Sequence, residues 1–147
     1  MKSLSRLLSP ERIVWLVDRS KNECLRAMVH CLANDMEGLD PEEVYQAILE
    51  REKLLSTGFG HGLAIPHAKL KGLRDFRVAL GVHKTGVAFD SFDEKPVRVL
   101  VMILAPEGRQ EDYLHILRRV TAFLKDKSER VLALGTSEEI YELTYDY

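Results

Sequence analysis

The 147 residues carry 21 basic and 23 acidic side chains, a formal net charge of −2, which leaves no general basic footprint for nucleic acid. With 46% apolar and 30% charged residues the composition is that of a globular protein, and the length suits one domain, 1–147, with a single sizeable core. No apolar run approaches the roughly 20 residues that a membrane-spanning helix needs, and the start, MKSLSRLLSPER, has neither a signal-peptide core nor a cleavage site. These features point to a cytoplasmic chain with no direct membrane insertion.

In chain order, Ile13 to Val17 (IVWLV) is a short apolar run with strand character, and Trp15 reads as a core residue. Ser20 followed by Glu23 is a capping-box pattern that opens a helix to about Met36, with Cys24, Leu25, Met28, Cys31 and Leu32 on one face. Cys24 and Cys31 lack the spacing of a redox or zinc pair and read as two reduced, buried thiols. Gly38 ends this helix. Asp40-Pro41-Glu42-Glu43 then caps a second one, which runs through Arg51 to about Lys53 and buries Val44, Ala47, Ile48 and Leu55.

A glycine-rich loop follows, Ser56 to Gly62, and then Leu63-Ala64-Ile65 and Pro66-His67-Ala68. Val78 to Val82 reads as a strand, and Val97 to Leu104 as the most apolar and central one, with a polar turn at Asp90 to Pro96 between them. A strong helix spans about Gln110 to Lys125, and two short helices close the chain, near Glu129 to Leu134 and after a cap at Thr136 or Ser137. The tail tyrosines Tyr141, Tyr145 and Tyr147 fit the packed face of the last helix better than the alternative, a contact surface. The pattern is α/β, a single domain with helices covering a small sheet.

The chemistry concentrates in the middle. Gly58, Gly60 and Gly62 permit positive φ and a close backbone approach, and successive N–H groups in such a loop can cup an anion. Ser56 and Thr57 add hydroxyl donors, and Arg51 adds a fork-shaped cation suited to phosphate. His67, held behind Pro66, is a competent nucleophile when its imidazole is neutral. Spacing alone leaves two readings open: a phosphoryl-transfer site, or an ordinary glycine turn beside a structural histidine. No Walker A ending and no acidic cluster for Mg²⁺ accompany the loop, so a phosphoryl group would arrive already activated on a donor protein. The six-residue step from His61 to His67 fits no standard zinc pattern, and neither metal nor cofactor is expected.

The stretch from Arg51 to Ala68, REKLLSTGFGHGLAIPHA, resembles the signature of the enzyme IIA family of the phosphoenolpyruvate-dependent phosphotransferase system, fructose/mannitol type, including its nitrogen-regulatory branch. The likeness extends over nearly the whole chain, taking in the Ser20-Lys21 helix start, Gly38-Leu39-Asp40, Phe92-Asp93 to Pro96-Val97, Ala105-Pro106-Glu107 and Ser137 to Ile140. It implies that His67 takes a phosphoryl group from an HPr-type carrier and that Arg51 neutralises charge on that group. It implies a mixed sheet flanked by helices, in agreement with the pattern above. In transport members the group passes on to a IIB cysteine and then to sugar; in regulatory members it changes binding to other proteins. Transport members often carry a second histidine where this chain has Tyr113, which can donate a hydrogen bond to phosphate but supplies no cation. His115, about 200° around the helix from Tyr113, is not placed to substitute, and it reads as a solvated surface residue.

The expected role is a phosphocarrier of the nitrogen-regulatory type, with Ser56, Thr57, Gly58, Gly60 and Tyr113 binding phosphate. The alternatives are a sugar-transport IIA or a phosphate-independent binding module. The sequence holds no IIB or membrane domain, which fits a free-standing regulatory protein and equally a piece of a longer one, and the presence of both Arg51 and His67 argues against an inactive copy.

Overall fold

The computed structural model describes residues 3–34 and 38–147. A short helix α1 (Leu4–Leu7) and a 3-10 turn (Pro10–Arg12) lead into strand β1 (Ile13–Leu16), then helices α2 (Lys21–Ala33) and α3 (Pro41–Leu54). Strands β2 (Gly58–Gly60), β3 (Leu63–Ala64), β4 (His67–Leu70), β5 (Arg77–Val87) and β6 (Val97–Pro106) follow, and helices α4 (Gln110–Ala133) and α5 (Ser137–Glu142) close the chain. Both expected caps form: Ser20 accepts from the Glu23 N–H while donating to its carboxylate, and Asp40 accepts from the Glu42 N–H. Thr136 likewise caps α5 through the Glu139 N–H. The expected end of the first helix near Met36 lies outside the described residues.

The sheet is mixed, in the order β1-β5-β6-β3-β2, with β4 also on β6. β6 is its centre: β5 runs antiparallel along one side, and β3 and β4 run parallel along the other. Because neighbouring side chains on a strand point to opposite faces, β6 feeds two cores. Val99, Val101 and Ile103 pack with Val120, Phe123 and Leu124 of α4; Leu100, Met102 and Leu104 pack with Met28, Leu32 and Ile48 of α2 and α3. The expectation of one core thus becomes two, one on each face of the sheet.

β3 and β4 are two halves of one line. Leu63 pairs with Val99 and His67 with Ile103, the same offset, so the register survives the break at Ile65-Pro66. Pro66 has no N–H for the ladder, yet its carbonyl still accepts from the Ile103 N–H at 3.0 Å.

Several expectations are corrected. The glycine-rich segment is not a simple loop: Gly58–Gly60 forms β2, antiparallel to β3, and the chain reverses at His61 and Gly62. Gly60 has φ +95°, and a Cβ there would lie 2.9 Å from the Phe92 ring. The helix expected near Glu129 is the last part of the 24-residue α4, which its apolar stripe carries on to Val131. Leu55 lies beyond the end of α3 and is 72% exposed, and Glu52 occupies the buried stripe instead. Trp15 is 38% exposed on an edge strand, its indole N–H donating to Ser137 Oγ at 2.9 Å. Cys24 is buried, and burial pushes its thiol up to about 11, but Cys31 is only half-buried.

The tail tyrosines do pack inward at two positions: the Tyr141 hydroxyl donates to the Ser5 carbonyl, and Tyr147 stacks edge-on against Phe123.

With both faces of β6 buried, Leu100→Ala leaves a hole against α2 and is expected to cost about 2–5 kcal/mol in urea denaturation, with an unchanged m-value.

Candidate active site

Three elements converge on His67. Its position at the start of β4 directs its side chain to the face opposite Ala68 and Leu70, which are buried against the α2–α3 layer. Arg51 comes from the last turn of α3, and Tyr113 from the first turn of α4. The imidazole is held at both nitrogens. Nδ1 lies 3.0 Å from the Ile65 carbonyl, and Nε2 lies 3.3 Å from Arg51 Nε.

A carbonyl can only accept and a guanidinium can only donate, so the proton sits on Nδ1 and Nε2 keeps its lone pair. The Pro66 break makes this possible. The Ile65 N–H donates to the Thr57 carbonyl, and the Ile65 carbonyl is left for the ring two residues on.

Electrostatics keeps the ring neutral. Burial lowers the His67 pKa below the ordinary imidazole value, and the Arg51 and Lys69 charges push the same way; the Ile65 carbonyl and Glu52 oppose them. Arg51 is itself anchored, its Nη1 donating to the Leu55 carbonyl just past the end of α3 at 2.8 Å. The Tyr113 ring lies 5.6 Å from the His67 ring, tilted by 41°. Burial raises the Tyr113 pKa, partly offset by Arg51, so the side chain stays a neutral phenol. Among the described residues none hydrogen-bonds its hydroxyl, which leaves that group available as a donor.

The hydroxyls and glycines expected to cradle phosphate have other work. Ser56 Oγ donates to the Phe89 carbonyl and accepts from the Gly58 N–H. The Thr57 N–H donates to the Glu52 carboxylate at 3.2 Å, and its hydroxyl donates to the same group. Gly60 packs on Phe92 at the hairpin tip, and the neighbouring His61 N–H goes to the Asp93 carboxylate. The Ser56 hydroxyl, the Thr57 N–H and hydroxyl and the Gly58 N–H thus have partners inside the protein, and from the expected set Arg51 and Tyr113 are placed against the His67 ring. His115 is exposed, as expected.

Sequence reasoning missed Glu52 and its pairing with Lys21. The Glu52 carboxylate is buried, paired to Lys21 Nζ at 2.7 Å, and it ties the α3 end to both the hairpin and the start of α2. Lys21 also lies 4.7 Å over the Phe89 ring. The signal was present: Val44, Ile48 and Glu52 follow at steps of four, so the carboxylate continues a buried helical stripe. Lys69 was missed too. It stands two residues from His67, on the same strand face, and its Nζ meets Gln110 Oε1 at 2.5 Å.

Among the described residues no group of acids, histidines and cysteines is placed to hold a metal ion, and no helix is long and apolar enough to cross a membrane.

Two outcomes follow from this geometry. Arg51→Gln removes a positive charge and the donor at Nε2, so the His67 pKa, followed by NMR titration of the ring, is expected to rise. Lys21→Met leaves the buried Glu52 carboxylate without its cation and is expected to cost about 3 kcal/mol in denaturant unfolding.

The similarity of this chain to known proteins extends over nearly its whole length. The family model described as "Phosphoenolpyruvate-dependent sugar phosphotransferase system, EIIA 2" matches residues 6–146. The chain is 34% identical over 149 residues to a "Nitrogen regulatory protein" of Pseudomonas aeruginosa, covering 99% of this chain and 97% of that one. It is 40% identical over 154 residues to a "Nitrogen regulatory protein" of Klebsiella oxytoca, covering 93% and 94%. In three dimensions it superposes on the crystal structure of nitrogen regulatory protein IIA-Ntr from Neisseria meningitidis with a TM-score of 0.88 and 27% identity, over 96% of this chain and 98% of that one. With a match to almost its whole length and the same fold in three dimensions, this chain belongs to the EIIA type 2 family of the phosphoenolpyruvate-dependent sugar phosphotransferase system.

Proposed function

We propose that the protein is a phosphocarrier that takes a phosphoryl group on Nε2 of His67 from the phosphohistidine of an HPr-type protein. The observation that carries this reading is the double hold on the imidazole: Nδ1 protonated against the Ile65 carbonyl, and Nε2 with its lone pair beside Arg51. In the transfer, that lone pair forms the new N–P bond while the donor's P–N bond breaks, and its electron pair returns to the donor ring. The proton on Nδ1 stays where it is, bound to Ile65. No general base is needed, because burial already keeps the ring neutral near pH 7.

Arg51 lies where it can exchange its bond to Nε2 for charge-assisted bonds to the phosphoryl oxygens. The Tyr113 hydroxyl is the further donor of the site. Ser56, Thr57, Gly58 and Gly60 act behind the site, holding the hairpin that carries the Ile65 carbonyl. The likeness to proteins named as nitrogen regulatory supports a signalling carrier in the cytoplasm, whose state is read by a protein partner, a IIB domain or a regulated target.

The test uses phosphoenolpyruvate, purified enzyme I and HPr-type carrier. The expected result is one phosphoryl group per chain, acid-labile and base-stable, attached at Nε2 by NMR and absent in His67→Ala. Arg51→Gln is expected to slow transfer by on the order of a hundredfold. Labelling that persists in His67→Ala overturns the assignment.

A further inference from the structure

The site just described faces an incoming dianion with one firmly placed cation, Arg51, and one uncharged donor, Tyr113. A second cation stands beside them. His67 and Lys69 alternate with the buried Ala68 and Leu70 on β4, so both side chains project from one strand face toward the start of α4. The Tyr113 ring is shared between them: its centroid lies 5.6 Å from the His67 ring and 5.7 Å from Lys69 Nζ. The Lys69 charge reaches the imidazole, since it helps lower the His67 pKa.

What holds Lys69 is weak. Its ammonium meets the neutral amide oxygen of Gln110, and among the described residues no carboxylate pairs with it. Gln110 opens the 24-residue α4, so the ammonium is parked beside the positive end of a long helix, a poor place for a cation and a better one for an anion. The acids of that first turn do not neutralise it: Asp112 is taken by Arg109 at 2.8 Å, and Glu111 is exposed to solvent. The flexible four-carbon stem lets the head group leave the Gln110 amide for a stronger acceptor within reach.

We infer that Lys69 is a second phosphoryl-binding cation of this site, its ammonium exchanging Gln110 for the phosphoryl oxygens carried by His67 Nε2. This rests on the phosphocarrier reading above. No bond beyond those already described is made or broken, because the ammonium donates hydrogen bonds and keeps its proton. Arg51 and Lys69 then flank the group from α3 and β4, and the two positive charges match the dianion.

The experiment is steady-state transfer from a phosphorylated HPr-type carrier to the full chain, comparing wild type, Lys69→Gln and Lys69→Arg. Lys69→Gln is expected to lower kcat roughly tenfold or more with little change in the KM for the carrier, and Lys69→Arg to recover most of the loss. The charges acting on His67 are Arg51, Glu52 and Lys69, so Lys69→Gln, with the other two in place, should also raise the His67 pKa on NMR titration. A raised KM at unchanged kcat makes Lys69 a docking contact and overturns the inference, and so does an unchanged rate. Failure of the wild type to be labelled at His67 overturns the phosphocarrier reading and this inference with it; a labelled wild type with an unaffected Lys69→Gln overturns this inference alone.

Discussion

The hydrogen bond between the Ile65 carbonyl and His67 Nδ1, 3.0 Å long, is the contact on which the site depends. It exists because the β3–β4 line beside β6 is broken for two residues without losing register. Were β3 and β4 a continuous strand, His67 would be one more pleated position, with no carbonyl turned back to it. Pro66 breaks the ladder on one edge, and the Ile65 N–H is engaged by Thr57 on the other, so the Ile65 carbonyl is left for the imidazole. The tautomer follows from that, and the tautomer determines which nitrogen faces the outside.

Around this contact the protein arranges charge in layers. The Lys21–Glu52 pair lies furthest in, screened from solvent and bonded to Thr57 and Phe89, and it joins α2, α3 and the β2–β3 hairpin. It fixes the end of α3 from which Arg51 projects. Arg51 is held by a carbonyl and not by a carboxylate, so its charge is not cancelled before a ligand arrives. The scaffold thus keeps the Lys21–Glu52 pair inside and, among the described residues, leaves Arg51 without a carboxylate partner, an order that suits a site for an anionic group.

Much of the fold was legible in the residues. Capping patterns at Ser20, Asp40 and Thr136 announced three helices because such side chains bond the free N–H groups of a first turn. The run from Val97 to Leu104 announced a central strand because only a strand buried on both faces can be so uniformly apolar. The misread segments are those where distant parts of the chain meet. Gly58 to Gly60 has the composition of a loop, and only pairing with Leu63 and Ala64 makes it a strand. The exposure of Trp15 and Leu55 likewise depends on what lies across from them, which no local pattern states.

The sequence by itself determined the capped helices and the central strand, and it singled out His67 and Arg51 as the candidate site residues with distinctive chemistry. These rest on local rules: capping, periodicity, and a motif whose members stand within 18 consecutive residues. Tertiary structure alone decided how that chemistry is aimed. It spent the donors of Ser56, Thr57 and Gly58 on the scaffold, placed Glu52 and Lys21 together from chain positions 31 residues apart, and brought Tyr113 and Lys69 around one imidazole. The physical reason is that hydrogen-bond partners and charge fields depend on distance through space, and the sequence states only distance along the chain.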